Sequence, residues 1–285
     1  MTRILETRRL TPVTKYFRLD APLIARSAMP GQFVMLRVRE GGERIPITIA
    51  DYDRKAGTIS LVIQQVGATT TLISALEAGD DLLDVAGPLG SPIEVAAGAH
   101  VCGVGGGFGS AVLLGLMREL KAKGHRTTAI IGARNKDLLI LADELQPNCD
   151  HLAICTDDGS AGFKGFVSQQ LERFIGGEGP GRPDCVVAIG PMAMMRAVAE
   201  TTRGPKVKTL VSMDPLMVDG TGMCGGCRVM VGGKAQFACV EGPAFDGHEV
   251  DFDVAMRRNK AYVHEEKLAL ERVSKCTRTA AKEVH

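Results

Sequence analysis

Three cysteines stand close together near the carboxyl end of the chain, Cys224, Cys227 and Cys239, in the stretch MVDGTGMCGGCRVMVGGKAQFACV from Met217 to Val240. Thiolates so spaced hold zinc or an iron-sulfur cluster, and either centre takes four ligands. Plant-type two-iron clusters separate their first three cysteines by four and then two residues and draw the fourth from further on. Cys224 and Cys227 supply the two-residue step and Cys239 the distant ligand, while four intervening residues counted back from Cys224 lead to Asp219. The register predicts a 2Fe-2S site held by Asp219, Cys224, Cys227 and Cys239, with a carboxylate in place of the first thiolate. An ionised aspartate carries the same single charge as a thiolate, and ferric iron accepts oxygen. Gly220, Gly222, Gly225 and Gly226 suit a short loop that must turn left-handed and bring its amides close to sulfide. Zinc is the competing reading, although zinc ribbons use paired CxxC knuckles and a second pair is lacking here. Asp214 and His248 are the other candidates for the fourth ligand.

A second candidate site is the string VCGVGGGFGSAVLLGLM, where an apolar run meets glycines and then a helical pattern that Ser110 could cap. Amides at a helix start bind phosphate, and Gly105, Gly106, Gly107 and Gly109 would let a phosphate approach. GGGFG does not satisfy GxGxxG, so the dinucleotide fingerprint fails literally and a plain tight turn is the alternative. Its place at the end of a first strand is where open α/β sheets take ligands. At the end of the second strand, in GARNKD, an acid would favour NAD and a base NADP. Arg134 and Asp137 both stand there, which leaves the choice open. In ERIPITIADYD, Arg44 and Thr48 flank Pro46 and could anchor a flavin's diphosphate and ring; a surface salt bridge is the alternative for Arg44.

These groups need scaffolds of two kinds. From Thr14 to about Asp84 the segments TKYFRLD, GQFVMLRV, RIPITIA and TISLVIQQV, split by turn residues, predict a small antiparallel barrel interrupted by a helix at TTTLISALEAG. From about His100, apolar runs of strand length (HVCGV, TTAIIGA, HLAICT, DCVVAIG, VKTLVSM) alternate with helical stretches (SAVLLGLMRELKAKG, KDLLILADELQ, FKGFVSQQLERF, PMAMMRAVAE). That alternation predicts a doubly wound parallel sheet. Past Met213 the chain is glycine-rich with little apolar material of its own, and is expected to need a metal to fold. Asp251 to His285 reads as a polar helix or tail.

Composition bounds the rest. The chain has 285 residues, 45% apolar and 24% charged, with net charge +1, ordinary for a globular protein and unlike a nucleic-acid binder. Its amino terminus lacks a signal peptide's apolar core and no stretch is long enough to span a bilayer, so a cytoplasmic, membrane-free protein is expected. Eight cysteines in that compartment are expected as thiols or metal ligands; Cys102, Cys149, Cys155, Cys185 and Cys276 read as buried thiols.

Taken in order, RIPIT, GGGFG, GPMAMM and DGTGMCGGC with a distant cysteine resemble the ferredoxin-NADP reductase superfamily over roughly residues 1 to 250. Within it the chain resembles the electron-transfer subunits of dihydroorotate dehydrogenase and sulfide dehydrogenase. It is more similar still to the small subunits of NADH-dependent ferredoxin:NADP oxidoreductases, the electron-bifurcating transhydrogenases, which share the aspartate in MVDGTGMCG where dihydroorotate-type subunits carry four cysteines.

The resemblance implies an antiparallel β-barrel FAD domain (residues 1–97), an α/β doubly wound NAD(P) domain (98–213), a small 2Fe-2S domain (214–250) and a polar C-terminal segment (251–285). It implies FAD held by Arg44, Pro46, Ile47, Thr48, Val62, Ile63 and Gln64, with Thr69 and Thr70 near the diphosphate. NAD(H) would be held by Gly105, Gly106, Gly107, Gly109, Arg134, Asp157, Gly190 and Met194. Hydride transfer needs no side-chain acid or base, so no residue is expected to be catalytic. The implied partner is a larger FAD and 4Fe-4S flavoprotein subunit in a heterodimer, with ferredoxin and NADP(H) reached through it. The alternatives are a reductase subunit of sulfide or dihydroorotate dehydrogenase and, from another class, a zinc-stabilised nucleotide-binding module without redox chemistry.

Overall fold

The computed structural model describes residues 1–282, with side chains of the last helix described as far as Val273. The first sheet is built from β1 (Thr2–Thr11), β2 (Thr14–Asp20), β3 (Phe33–Arg37), β4 (Arg44–Asp53), β5 (Thr58–Gln64), β6 (Asp81–Leu82) and β7 (Asp84–Leu89). Its order is β6-β1-β2-β5-β4-β3-β7, all neighbours antiparallel. The edge strands β6 and β7 are separated only by Leu83, so the chain itself joins the two edges and the sheet curls into a nearly closed barrel. Inside and outside alternate with the two-residue strand period: Val34 and Leu36 of β3 fill the barrel, while Phe33 and Met35 point out of it.

Strand β1 lies ahead of Thr14, outside the stretch whose sequence pattern predicts the barrel. Its sequence TRILETRRLT buries only Ile4 and Thr11 and is bulged twice against β2, so it carries little apolar period to read. Helices α1 (Pro22–Ser27) and α2 (Ala68–Ser74) cover the barrel. The carboxyl end of α2 is capped by buried Lys15, whose Nζ donates to the carbonyls of Ser74 (3.3 Å) and Leu76 (2.6 Å) and to the Glu77 carboxylate (2.7 Å).

The second sheet uses β8 (His100–Gly106), β9 (Arg126–Ala133), β10 (His151–Thr156), β11 (Phe163–Lys164), β12 (Cys185–Ile189) and β13 (Lys208–Ser212), all parallel to their neighbours. The order β11-β10-β9-β8-β12-β13 reverses direction between β8 and β12. Helix α3 (Gly109–Ala122) packs on one face with Val101, Ile131 and Val187; α5 (Val167–Ile175) and α6 (Met192–Arg203) pack on the other with Cys102, Ile130 and Val186. The helix expected at KDLLILADELQ is broken. A 3-10 turn at Lys136–Leu138 and the single-turn α4 (Ala142–Leu145) are separated by Leu141 at φ +55, because Ile140 and Leu141 are pinned in an apolar cluster with Ala50, Val62 and Ala111.

The cysteine-bearing segment forms the hairpin β14 (Arg228–Val231) and β15 (Lys234–Phe237), then β16 (Ala244–Asp246), which joins the parallel sheet antiparallel to β13. Its buried Cys227, Val229, Ala238 and Phe245 belong to the same apolar cluster as the α5–α6 face, so its core is borrowed from the larger sheet. Helices α7 (Phe252–Arg258) and α8 (Val263–Lys282) follow, α8 largely exposed as far as its side chains are described. Cys102, Cys149, Cys155 and Cys185 are buried, and burial pushes the Cys149 thiol up to about 11 and Cys155 up to about 12. Cys276 lies outside the described side chains. No described helix is long and apolar enough to cross a membrane.

Candidate functional site

A cavity of about 720 Å³ opens at the carboxyl ends of β8, β9, β10 and β12, where the strand order reverses. Gly106, Gly107, Arg134, Asp157 and Met194 line it, joined by Thr14 and Gln64 from the barrel. The glycines are required by close approach. A Cβ on Gly109 would stand 2.1 Å from the Ile189 carbonyl oxygen, and one on Gly190, which sits at φ +153, would stand 2.9 Å from that of Gly106. Gly105 lies one step below the rim, its carbonyl accepting the Ser110 hydroxyl at 3.5 Å. Ser110 therefore does not cap α3 as expected; the helix begins at Gly109 without a side-chain cap, and the loop itself leads into it.

Of the two charges weighed at the end of β9, Arg134 faces the cavity and Asp137 is not part of its lining. Asp157, at the end of β10, supplies the acid instead. Its neighbour Asp158 is committed to the turn: its carboxylate accepts the Ser160 hydroxyl (2.6 Å) and amide (2.9 Å), and these bonds hold the acid below the usual carboxylate range. Phe166, 60% exposed, lines the same cavity beside Gly165 and was not anticipated. Its only sequence signal is an aromatic directly before a helix in FKGFVSQ.

The barrel candidates divide by face. Antiparallel partners share a face: Arg44 is opposite Arg37, Pro46 opposite Met35, and Thr48 opposite Phe33, all outside the barrel. Gln64 is opposite Thr14 and reaches the cavity. Ile47 and Ile63 instead pack into the barrel interior, and Val62 is covered by Ala111 of α3, so these three offer a ligand little beyond backbone. The Arg44 guanidinium lies 3.5 Å from the Asp84 carboxylate, which Arg37 also binds, so the surface ion pair weighed for Arg44 is formed. Thr69 donates to Glu43 (2.7 Å), and the Thr70 hydroxyl accepts the amides of Val66 (3.0 Å) and Gly67 (2.9 Å) at the start of α2.

In the cysteine loop, the Sγ atoms of Cys227 and Cys239 lie 3.2 Å apart and both residues are buried. Cys224 is exposed, its Sγ accepting the Gly226 amide at 3.4 Å. Asp219 accepts the amides of Thr221 (2.8 Å) and Cys224 (2.7 Å), one on each carboxylate oxygen. The Thr221 amide in particular holds the Asp219 carboxyl below the usual carboxylate range, keeping it an anion. Gly220, Gly222 and Gly225 all have positive φ, as a loop wrapped round an inorganic core needs. Among the described residues no three thiol, carboxylate or imidazole groups converge as one ion would require. Cys227 and Cys239 stand side by side and Asp219 is tied to the Cys224 backbone, a donor set of three thiols and one carboxylate in one short loop that fits a two-iron cluster. His248 is engaged elsewhere, its Nε2 2.9 Å from the Thr202 hydroxyl.

The loop and the barrel face touch. A Cβ on Gly220 would stand 2.7 Å from Met35 Cγ and 3.0 Å from Leu89 Cδ1. Met35 is the cross-strand neighbour of Pro46, so one outer face of the barrel runs from the cysteine loop through Pro46 and Thr48 on β4 toward Gln64 at the glycine cleft.

Residues 214–251, which carry this loop, match the iron-sulfur cluster binding domain of dihydroorotate dehydrogenase B. The chain is similar to the dihydroorotate dehydrogenase B (NAD(+)) electron transfer subunit homolog of Thermotoga maritima, 44% identical over 259 residues covering 91% of this chain and 90% of the relative. The electron transfer subunit of Desulforamulus reducens is 32% identical over 256 residues, 87% of this chain and 96% of the relative. Among solved structures it is similar to a chain of the NADH-dependent reduced ferredoxin-NADP oxidoreductase studied for flavin-based electron bifurcation. That likeness has a TM-score of 0.89 at 41% identity and covers 95% of this chain and 97% of the other. At these identities over nearly the full length, the chain belongs to the family of dihydroorotate dehydrogenase B electron transfer subunits, and it has their ferredoxin-NADP reductase-like architecture.

Proposed function

We propose that the chain is the electron-transfer flavoprotein subunit of an NADH-dependent ferredoxin:NADP oxidoreductase, moving electrons between NAD(H), FAD and a 2Fe-2S cluster in a complex with a larger flavin and iron-sulfur subunit. The observation that carries this reading is the continuous barrel face that links the cysteine loop to the glycine cleft. A flavin lying on that face would meet a dinucleotide at one end and the cluster loop at the other. The 41% identity to a chain of the bifurcating oxidoreductase, over nearly all of both chains, supports the choice of complex.

In this reading Gly105, Gly106, Gly107 and Gly109 lead the start of α3 to the pyrophosphate of NAD(H). Gly190 and Met194 close the opposite wall, Asp157 and Arg134 meet the adenosine ribose, and Phe166 offers a flat apolar surface to the base. Pro46, Thr48 and Gln64 face the flavin, Ile47, Val62 and Ile63 contribute backbone, and Arg44, Thr69 and Thr70 stand toward its diphosphate. Asp219, Cys224, Cys227 and Cys239 hold the cluster. FAD accepts two electrons together and can release them singly, the chemistry that joins a hydride donor to a one-electron centre. The residues themselves orient the nicotinamide, shelter the face from water and keep the ligand loop short. No side chain is required to move a proton.

The test is the visible spectrum of the purified chain during anaerobic NADH titration. Flavin and cluster absorbance between about 400 and 600 nm should bleach together; a colourless protein with zinc and no iron would refute the reading. A sulfide or dihydroorotate dehydrogenase assignment would be separated by the identity of the large subunit that co-purifies.

A further inference from the structure

Helix α3 touches both modules. Its first residue closes the glycine loop, and its second half lies directly on β4. A Cβ on Gly115 would stand 2.6 Å from the Ala50 carbonyl oxygen and 3.3 Å from Asp51 Cα, so helix and strand backbones meet with no side chain between them. One turn on, Arg118 donates from Nη1 to Asp51 Oδ2 (2.7 Å) and from Nη2 to the Tyr52 carbonyl (2.7 Å). The Tyr52 hydroxyl donates to Glu119 at 3.0 Å, and Arg54 lies over the Tyr52 ring at 4.6 Å. Tyr52 is only 4% exposed. A forked guanidinium bridging a carboxylate and a carbonyl fixes direction as well as distance, and shelter from water strengthens each bond.

The ends of these two elements away from the joint bear on the two binding surfaces: α3 starts at the glycine cleft, and β4 carries Arg44, Pro46 and Thr48. We infer that the α3–β4 joint sets the spacing between the dinucleotide cleft and the flavin face, so that Gly115, Arg118, Glu119, Asp51 and Tyr52 are positioning residues for hydride transfer; this rests on the function proposed above. In that transfer NADH gives up a hydride, two electrons with a proton, to become NAD+, and the flavin gains all three. Its rate depends steeply on donor–acceptor spacing, a misplacement of about 1 Å costing on the order of a hundredfold.

The experiment compares Gly115→Ala, Arg118→Gln and Tyr52→Phe in the full chain loaded with FAD, by anaerobic stopped-flow reduction with NADH and with 4-deuterated NADH. Gly115→Ala should slow the isotope-sensitive step about tenfold while flavin content and NADH affinity stay at wild-type levels; Tyr52→Phe, which removes one bond, should slow it less. Amide exchange across residues 44–54 and 109–122 of the flavin-free chain should quicken in the same order. Reduction of Gly115→Ala at the wild-type rate, or exchange unchanged in all three variants, overturns the inference alone. A wild-type chain whose flavin NADH does not reduce overturns the functional reading and this inference with it.

Discussion

Substituting Gly109 by alanine tests the glycine cleft most directly. The added Cβ would stand 2.1 Å from the Ile189 carbonyl oxygen and 2.6 Å from its carbon, where contacts under 3.0 Å are essentially never seen. Both are backbone atoms, so no side chain can swing aside; the start of α3 and the end of β12 must part by about 0.9 Å. Overpacking of this kind costs about 1–3 kcal/mol, which for a chain of this size lowers the melting temperature by several degrees, roughly 2–4 °C per kcal/mol. A shift of nearly 1 Å at the pyrophosphate amides should weaken NADH binding or slow flavin reduction by on the order of a hundredfold. Gly124→Ala is the control. It sits at φ +80 just beyond the far end of α3, outside the cavity lining and with nothing near its Cβ position, so its cost is the left-handed backbone alone, about 1–2 kcal/mol, with NADH affinity unchanged. Differential scanning calorimetry, NADH titration and anaerobic stopped-flow reduction read these quantities. If Gly109→Ala both binds NADH and is reduced by it as wild type is, or Gly124→Ala suffers the larger loss, the argument from close backbone approach is wrong.

Asp219→Ala should lose the cluster or yield it with reduced iron content, whereas Asp219→Cys should retain it with a shifted potential; electron paramagnetic resonance unchanged in both variants would assign the fourth ligand elsewhere. Asp157→Asn should raise the use of NADPH relative to NADH by about tenfold, as expected when a charge that repels a 2′-phosphate and accepts from a 2′-hydroxyl is removed; steady-state kcat/KM for the two donors measures it. Glu77→Gln strips buried Lys15 of its carboxylate partner. The Lys15 hydrogen bond holds the Glu77 carboxyl below its ordinary value, so the stabilisation is present above pH 4.5 and fades as the pH falls through the lowered value. Melting curves of wild type and variant should therefore differ at neutral pH and converge in acid.

What the sequence disclosed followed from how strongly burial or chemistry constrains each stretch. Strands β8 and β12, buried on both faces, announce themselves as HVCGV and CVVAI, and the spacing of the proposed ligands Asp219, Cys224 and Cys227 is visible without any fold. Strand β1 is hard to read because only two of its ten residues are buried and two bulges break its alternation. KDLLILADELQ has the composition of a helix, yet Ile140 and Leu141 are buried in a cluster with Ala50 and Val62 of the barrel, a long-range contact that local sequence does not specify. The division of RIPIT into outward Pro46 and Thr48 and inward Ile47 depends on pairing with β3, a partner that local sequence does not specify. Phe166 acquires meaning only once β10, α5 and the glycine loop converge on one cavity.

Strand β16 forbids treating the cysteine segment as a detachable cassette. It is the outermost member of the large sheet, and a protein ended after Met213 would leave the hydrogen-bonding side of β13 bare, the kind of raw margin that recruits stray strands and precipitates. Transplanting the segment into another reductase would likewise require a host sheet with a vacant antiparallel berth in the same place. Removing the segment would therefore bare the dinucleotide module to association as well as abolish the redox centre, a change in solubility separate from the change in chemistry.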